Sequence, residues 1–317
     1  MRVPILAARA GWHTAELCRA LAERGHEGRV VAYEGLVARL GGGSGKGEAG
    51  RGKREAGSGK REGGSERQGL WSCDEDLEAA GAVLARIIPA GSLEQIIYRV
   101  DALHRLEERG VAVLNPPRAI ERTVDKFWTS TLLERAGIPV PETVVCERAE
   151  DAVRAFRGMG DVIVKPLFGS MGLGMVRVSD EEIAFRVCRT LDAIRAVYYV
   201  QRAIDHAGRD IRAFVVGDRV IAAVERRAEG GGWRTNLSRG GQAYPCALSS
   251  EWTELALQAA RAVGAEYAGV DLLPARHGPT YVLEVNGIPG WRGLQASTGV
   301  DVAGSVVDHL LERTRQR

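Results

Sequence analysis

Apolar positions along the chain alternate between two periods. Short runs at 3–8 and 30–33 bracket a segment, 14–24, in which Leu17, Ala20 and Leu21 fall on one helical face before Gly25 stops it. Strand, helix and strand at this length make a βαβ unit, which predicts a parallel sheet in an α/β protein. The alternation goes on with a strand at 83–88 and a capping box at Ser92 and Gln95 that opens a helix reaching Arg109. A strand at 111–114 is punctuated by Asn115, Pro116 and Pro117, and one helix is expected over 118–136. Strands at 142–146 and 198–200, with helices at 149–157 and 181–195, flank a β-branched run that begins at Asp161. After Gln201 hairpins take over: 210–217 turns at Gly217 and Asp218 into 219–226. An amphipathic helix at 251–263, strands at 267–273 and 280–285, and a terminal helix at 299–313 complete the pattern.

One stretch breaks it. Residues 41–69 are almost wholly Gly, Ser, Lys, Arg and Glu, with no aliphatic side chain larger than alanine. Such a segment cannot bury enough surface to offset its ordering entropy, so a disordered surface insertion is expected. The alternative is a basic arm for nucleic acid, but glutamates offset its cations and it has no aromatics. The whole chain has a net charge of only +2, which argues against a polyelectrolyte partner. Cys18, Cys73, Cys146, Cys188 and Cys246 are odd in number and lack metal or redox spacing, which points to reduced thiols in the cytoplasm. No apolar run is long enough to span a bilayer, and the N-terminus turns polar too soon for a signal peptide.

The run from Asp161 carries the first candidate chemistry. It ends in Lys165 and Pro166, followed by Gly169, Ser170, Gly172 and Gly174. Proline ends the ladder, and the glycines let backbone N–H groups approach a ligand closely. A lysine beside such a loop suits a triphosphate; a glycine-rich hairpin with a solvated lysine is the plainer alternative. The spacing is neither the dinucleotide fingerprint nor the Walker loop. Nothing in the first βα turn, 9–13, has the dinucleotide glycine pattern either.

The second candidate set is Asp271, Glu284 and Asn286. Residues two apart on a strand face the same way, so Glu284 and Asn286 point together and Asp271 can face them from the next strand. Two carboxylates and an amide oxygen suit Mg²⁺ on nucleotide phosphates; solvated strand-end residues are the alternative.

Taken together, these motifs resemble the ATP-grasp superfamily and, within it, the RimK-type amino-acid ligases. The likeness runs from about 115 to 310 and rests on Asp125-Lys126, Lys165 with its glycine loop, Gln201, Asp210, Arg212, residues 236–241, Asp271, Glu284 and Asn286. It implies an ATP-grasp fold with an N-terminal βαβ pre-ATP-grasp domain. The expected division is 1–115, a lid subdomain at 116–200, and a C-terminal lobe with the metal site at 201–317. By the same likeness, Lys126 and Lys165 contact phosphates. Gln201, Arg202, Ala203 and Ile204 form the adenine hinge, with Asp210 near the ribose. Arg212, Arg226 and Asn236 line the reacting centre, and Asp271, Glu284 and Asn286 hold metal. Two departures stand out. The hinge lacks the usual Gln-Glu-Tyr-Ile, and the tail after Asn286 reads Gly-Ile-Pro-Gly-Trp291-Arg-Gly-Leu-Gln295. Together with 86–95, that tail is similar to a ligase group associated with tetrahydromethanopterin.

The implied reaction joins an amino acid, often glutamate, to a carboxylate on a cofactor, peptide or protein. It uses ATP and Mg²⁺, with Mn²⁺ as the alternative metal. A carboxylate attacks the γ-phosphate and an amine then attacks the acyl phosphate. A nucleotide-binding regulator that kept the fold is the rival reading, and the full metal set argues against it. Homo-oligomerisation is left open.

Overall fold

The structure, a computed structural model, describes residues 1–41, 68–169, 172–228 and 242–316. Its first sheet comprises β1 (Arg2–Ala7), β2 (Glu27–Ala32), β6 (Ala82–Ala85) and β7 (Ala112–Leu114), in the order β2-β1-β6-β7 with parallel pairing throughout. A parallel sheet is covered on both faces, which is why these strands read as apolar runs. Val3 and Ile5 on one face pack with Leu17 and Leu21 of α1 (Trp12–Glu23) and with Val306 and Leu310 of α9 (Val302–Arg315). Leu6 points the other way, toward Leu103 and Leu106 of α2 (Leu93–Glu108). The helix α2 starts as its sequence predicts: the Ser92 hydroxyl accepts from the Gln95 N–H at 3.3 Å, and Gln95 returns the bond to the Ser92 N–H at 3.0 Å.

Between β2 and β6 the chain makes a small antiparallel sheet that the sequence pattern did not suggest. It is built from β3 (Leu36–Arg39), β4 (Gly69–Ser72) and β5 (Glu75–Asp76). Arg39 pairs with Gly69, so the two ends of the glycine-rich segment lie side by side. Its residues 42–67 are outside the described residues. Gly69 itself is strand, not insertion, because the fully buried Leu70 anchors the flank.

The single helix expected over 118–136 is two, α3 (Pro117–Val124) and α4 (Lys126–Arg135). Asp125 interrupts them with extended backbone, φ −90° and ψ 106°, and its carboxylate accepts the Trp128 N–H at 3.0 Å. Aspartate is a strong N-cap, and here capping outweighs helix continuation.

The second sheet is antiparallel, in the order β10-β9-β11-β8: β8 (Thr143–Cys146), β9 (Val162–Lys165), β10 (Val176–Val178) and β11 (Tyr198–Arg202). α5 (Ala149–Met159) and α6 (Glu181–Ala193) supply its core, with Phe156, Met159 and Ala184 against Val162, Val164 and Tyr198.

The third sheet is also antiparallel, in the order β14-β13-β12-β15-β16: β12 (Arg209–Val216), β13 (Arg219–Arg227), β14 (Gln242–Pro245), β15 (Tyr267–Pro274) and β16 (Thr280–Asn286). One face, with Ile211, Ala213 and Val215, packs on Ala256, Ala260 and Val263 of α7 (Ser250–Val263). Phe214 on the other face joins Tyr267, Trp291 and the core under the first sheet. Buried Asn115 ties the two together: its side-chain amide donates to the Tyr267 and Gly287 carbonyls, and its oxygen accepts the Glu266 and Tyr267 N–H groups. Strand β14 and a short helix, α8 (Arg292–Thr298), were not expected from the sequence. Gly299 closes α8 in the left-handed region and Asp301 caps α9, so the terminal helix begins at Val302 rather than at 299.

Candidate active site

A cleft of about 1000 Å³, its open mouth included, lies where the second and third sheets face each other. Apolar Ile163, Met175 and Leu273 line it together with Lys126, Lys165, Arg226, Asp271 and Glu284.

β9 delivers Lys165 to this cleft and buries it to 8% exposure. Its Nζ donates to Gln201 Oε1 at 2.6 Å, and Gln201 Nε2 donates to Thr143 Oγ1 at 3.0 Å. Burial pulls the Lys165 pKa down to about 8, against the opposing pull of Glu284. Lys126, the first residue of α4, donates to the Gly169 carbonyl at 2.8 Å and the Leu167 carbonyl at 3.3 Å. The cap at Asp125 therefore aims Lys126 at the glycine loop, and burial lowers its pKa too. Gly169, Gly172 and Gly174 all have positive φ, at 146°, 66° and 75°, a backbone that side chains other than glycine resist. Ser170 lies outside the described residues.

The four hinge residues, Gln201, Arg202, Ala203 and Ile204, all line the cleft. Arg202 in the departed hinge has a local partner: its Nε donates to Glu142 at 2.8 Å and its Nη1 to the Met159 carbonyl at 3.1 Å. His206 was not singled out in the sequence. It lines the same cleft, and its buried Nδ1 has no hydrogen-bond partner among the described residues.

The far wall is a row of charges across the third sheet. Strand register sets Asp210 opposite Arg226, Arg212 opposite Asp271, and Asp271 opposite Glu284. Arg226 grips Asp210 with two bonds, at 2.7 and 2.6 Å, and reaches Asp271 at 2.9 Å. Arg212 holds Asp271 from the other side through Nε and through Nη2, the latter at 2.7 Å. Burial alone would raise the Asp271 pKa, but Arg212 and Arg226 outweigh it and hold it below the usual carboxylate range.

Among the three metal-ligand candidates, the structure brings Asp271 and Glu284 to the cleft. Asn286 is not among the cleft-lining residues, and its Oδ1 accepts the Ile288 N–H at 2.9 Å. Among the described residues no cluster of three His, Cys, Asp or Glu is placed to hold a metal. The donor chemistry of Asp271 and Glu284, two hard carboxylates, still suits Mg²⁺. Glu284 is the more available of the two, its carboxylate making no hydrogen bond or ion pair among the described residues, whereas Asp271 is held by two guanidiniums. Asn236 lies outside the described residues.

A model of the RimK-like ATP-grasp domain matches residues 123–310. The chain belongs to the RimK-like ATP-grasp family. It is 39% identical over 256 residues to the tetrahydromethanopterin:alpha-L-glutamate ligase of Methanosarcina acetivorans, covering 72% of this chain and 79% of that protein. A probable alpha-L-glutamate ligase of Trichodesmium erythraeum is 38% identical over 227 residues, with 71% and 76% covered. Among solved structures, the ATP-grasp ligase PsnB with a minimal precursor gives a TM-score of 0.73 at 23% identity, with 98% of each chain covered. A RimK domain ATP-grasp protein from Sphaerobacter thermophilus gives 0.67 at 22% identity, over 98% of this chain and all of that one. At such identities the structures establish the fold, and the sequence relatives establish the family. The RimK-like protein is thus an ATP-grasp carbon–nitrogen ligase, of a class that uses ATP and a divalent metal. Among its described residues no helix is long and apolar enough to cross a membrane.

Proposed function

We propose that this RimK-like protein adds glutamate, or a related amino acid, to a carboxylate of a cofactor, peptide or protein through an acyl phosphate. The first candidate acceptor is a tetrahydromethanopterin-like molecule, after the name of the archaeal relative. The observation that carries this reading is the meeting of Lys165 and the glycine loop with Asp210, Arg226 and Asp271 in one cleft, where Arg212 backs Asp271 from outside the lining. One side suits a triphosphate and the other suits charge developing on an acyl group.

Lys165, Lys126 and the N–H groups of the glycine loop bind and orient the phosphates. An acceptor carboxylate oxygen attacks the γ-phosphorus; that O–P bond forms, the bond to the β-phosphate oxygen breaks, and ADP leaves. The amino group of the incoming amino acid then attacks the acyl carbonyl. The C–O bond to phosphate breaks, phosphate departs and the nitrogen loses a proton to solvent. Arg212 would stabilise negative charge on the carbonyl oxygen, while Arg226 holds Asp210 and Asp271 in place. Asp271 and Glu284 would hold Mg²⁺, with Mn²⁺ as the substitute, and the ion would neutralise phosphate charge. Asn236 would join Arg212 at the reacting centre, and Asn286, whose Oδ1 accepts the Ile288 N–H, would shape the turn after β16 beside the metal carboxylates. The three-part division at 1–115, 116–200 and 201–317 belongs to the same reading, as does a cytoplasmic location, which accords with five cysteines free of disulfides.

The test is ADP release in the presence of ATP, Mg²⁺ and single amino acids, across pterin, peptide and protein acceptors. Acceptor-dependent release with glutamate is expected. Tight ATP binding with no release under any pairing would instead identify a nucleotide-binding regulator.

A further inference from the structure

Two stretches that stand out in the sequence, 86–95 and the tail after Asn286, converge at one place in the fold. β1 and β6 are neighbours, but β1 is followed by β2 on one side and β6 by β7 on the other. This is a topological switch point, where open parallel sheets bind ligands beyond the carboxyl ends of their strands. Arg86 directly follows β6, and Trp12 and His13 follow β1. The loop after β16 brings Trp291 and Arg292 onto them.

The chemistry gathered there is unbalanced. Arg86 is 3% exposed, lies 4.5 Å from the Trp291 ring centroid, and among the described residues donates to neutral acceptors, the Tyr267 hydroxyl and the Pro289 carbonyl, each at 3.1 Å. Exposed Arg292 lies over the Trp12 ring at 5.8 Å and makes no ion pair among the described residues. The Trp291 N–H donates to His13 Nε2 at 3.1 Å, so at neutral pH the ring proton sits on Nδ1. Burial, Arg86 and Arg292 together hold the His13 pKa down to about 4, which keeps that Nδ1–H a neutral donor. Among the described residues, buried Trp291 Nε1 and Gln295 Oε1 have no hydrogen-bond partner. The nearby Glu16 does not balance the cations, since Arg19 and Gln295 already occupy it.

The crevice also adjoins the reacting centre. A Cβ built on Gly269 would meet Arg212 Nη1 at 3.0 Å and Pro289 Cβ at 3.2 Å, and Pro289 is the residue whose carbonyl Arg86 holds. One residue's thickness separates the two sites.

We propose that this crevice binds the acceptor beyond its reacting carboxylate, holding a second anionic group, carboxylate or phosphate, on Arg292 and the His13 Nδ1–H against the half-buried Trp12 ring, with buried Trp291 and Arg86 forming the floor beneath. The inference rests on the ligase reading above. It is tested by steady-state kinetics with tetrahydromethanopterin and a peptide ending in glutamate as acceptor probes. Arg292 is exposed, so its variants are expected to fold. Arg292→Ala should raise the acceptor KM roughly 10- to 100-fold, as loss of a charge-assisted bond does, with ATP KM and kcat unchanged. Arg292→Lys should recover part of the loss, and Arg292→Glu should deepen it. An unchanged acceptor KM in Arg292→Ala and Arg292→Glu, beside an active wild type, overturns the proposal, as does a rise shared equally by ATP. Wild type without turnover on either probe fails the ligase reading on these acceptors and the proposal with it, and that failure shows before any variant is measured.

Discussion

Lys165 lines the cleft, Arg212 backs its wall through Asp271, and these two like charges are expected to do different work. Lys165 faces the glycine loop, so Lys165→Met should weaken ATP binding and slow turnover together. Arg212→Met should cost roughly 10²–10³ in kcat with ATP affinity little changed, because carbonyl charge grows only as the amine attacks. Calorimetric titration of ATP beside steady-state rates separates the two; equal loss of ATP affinity would make Arg212 a nucleotide ligand. The lowered pKa of Lys165 sets a pH dependence with a definite sign. Its folded value of about 8 lies below the ordinary 10.5, so between these values the unfolded chain holds a proton that the folded protein has lost. The cost of burying the charge is full below pH 8 and is relieved as pH rises toward 10.5. Thermal unfolding of wild type minus Lys165→Met should therefore shift in favour of wild type over that window, while ATP affinity falls through it. A difference flat with pH would mean that Lys165 is not desolvated. Arg226→Met should destabilise the protein by roughly 3–5 kcal/mol in chemical denaturation, since Asp210 is left buried without its fork.

At the scale of elements, legibility followed locality. The capping box at Ser92 and Gln95 is written within four residues, and the structure repeats it. Asp125 sat inside an apolar period that masked it, although its own side chain breaks the helix. Asp125→Ala should cost about 0.5–2 kcal/mol, the usual loss of an N-cap, and loosen Lys126 from the glycine loop. Denaturant unfolding checks the first part, and the ATP dissociation constant the second. The hairpin of β3 and β4 is not legible because its strands are short and 30 positions apart at their closest pair, Arg39 and Gly69. That pairing sharpens the expectation for the glycine-rich segment. Removing 42–67 leaves Gly41 and Gln68 to close a short hairpin, and loop-closure entropy changes slowly with length. Near-native melting temperature and turnover are expected; a large drop in either would show that the segment contributes contacts or function. Cutting through Gly69 as well would remove a strand residue and should cost more.

At the scale of the whole molecule, the candidate cleft was legible as a residue list but not as a geometry. The motifs at 165–174 and 271–286, together with Lys126, the hinge at 201–204, Asp210 and Arg226, named most of the residues that line it. They could not show that Asp271 would be held between two arginines, because Arg212 and Arg226 reach it across strands paired far apart in sequence. His206, Thr143 and the His13–Trp291 contact escaped for the same reason: each matters only through a partner on a distant element. The claim that unites these parts is that the acceptor carboxylate itself is phosphorylated. Its most direct test uses an acceptor labelled with ¹⁸O in the reacting carboxylate, with mass spectrometry of the phosphate released in a glutamate-dependent turnover. An acyl phosphate predicts one ¹⁸O from the acceptor in every phosphate; phosphate free of label, beside normal product formation, would contradict it.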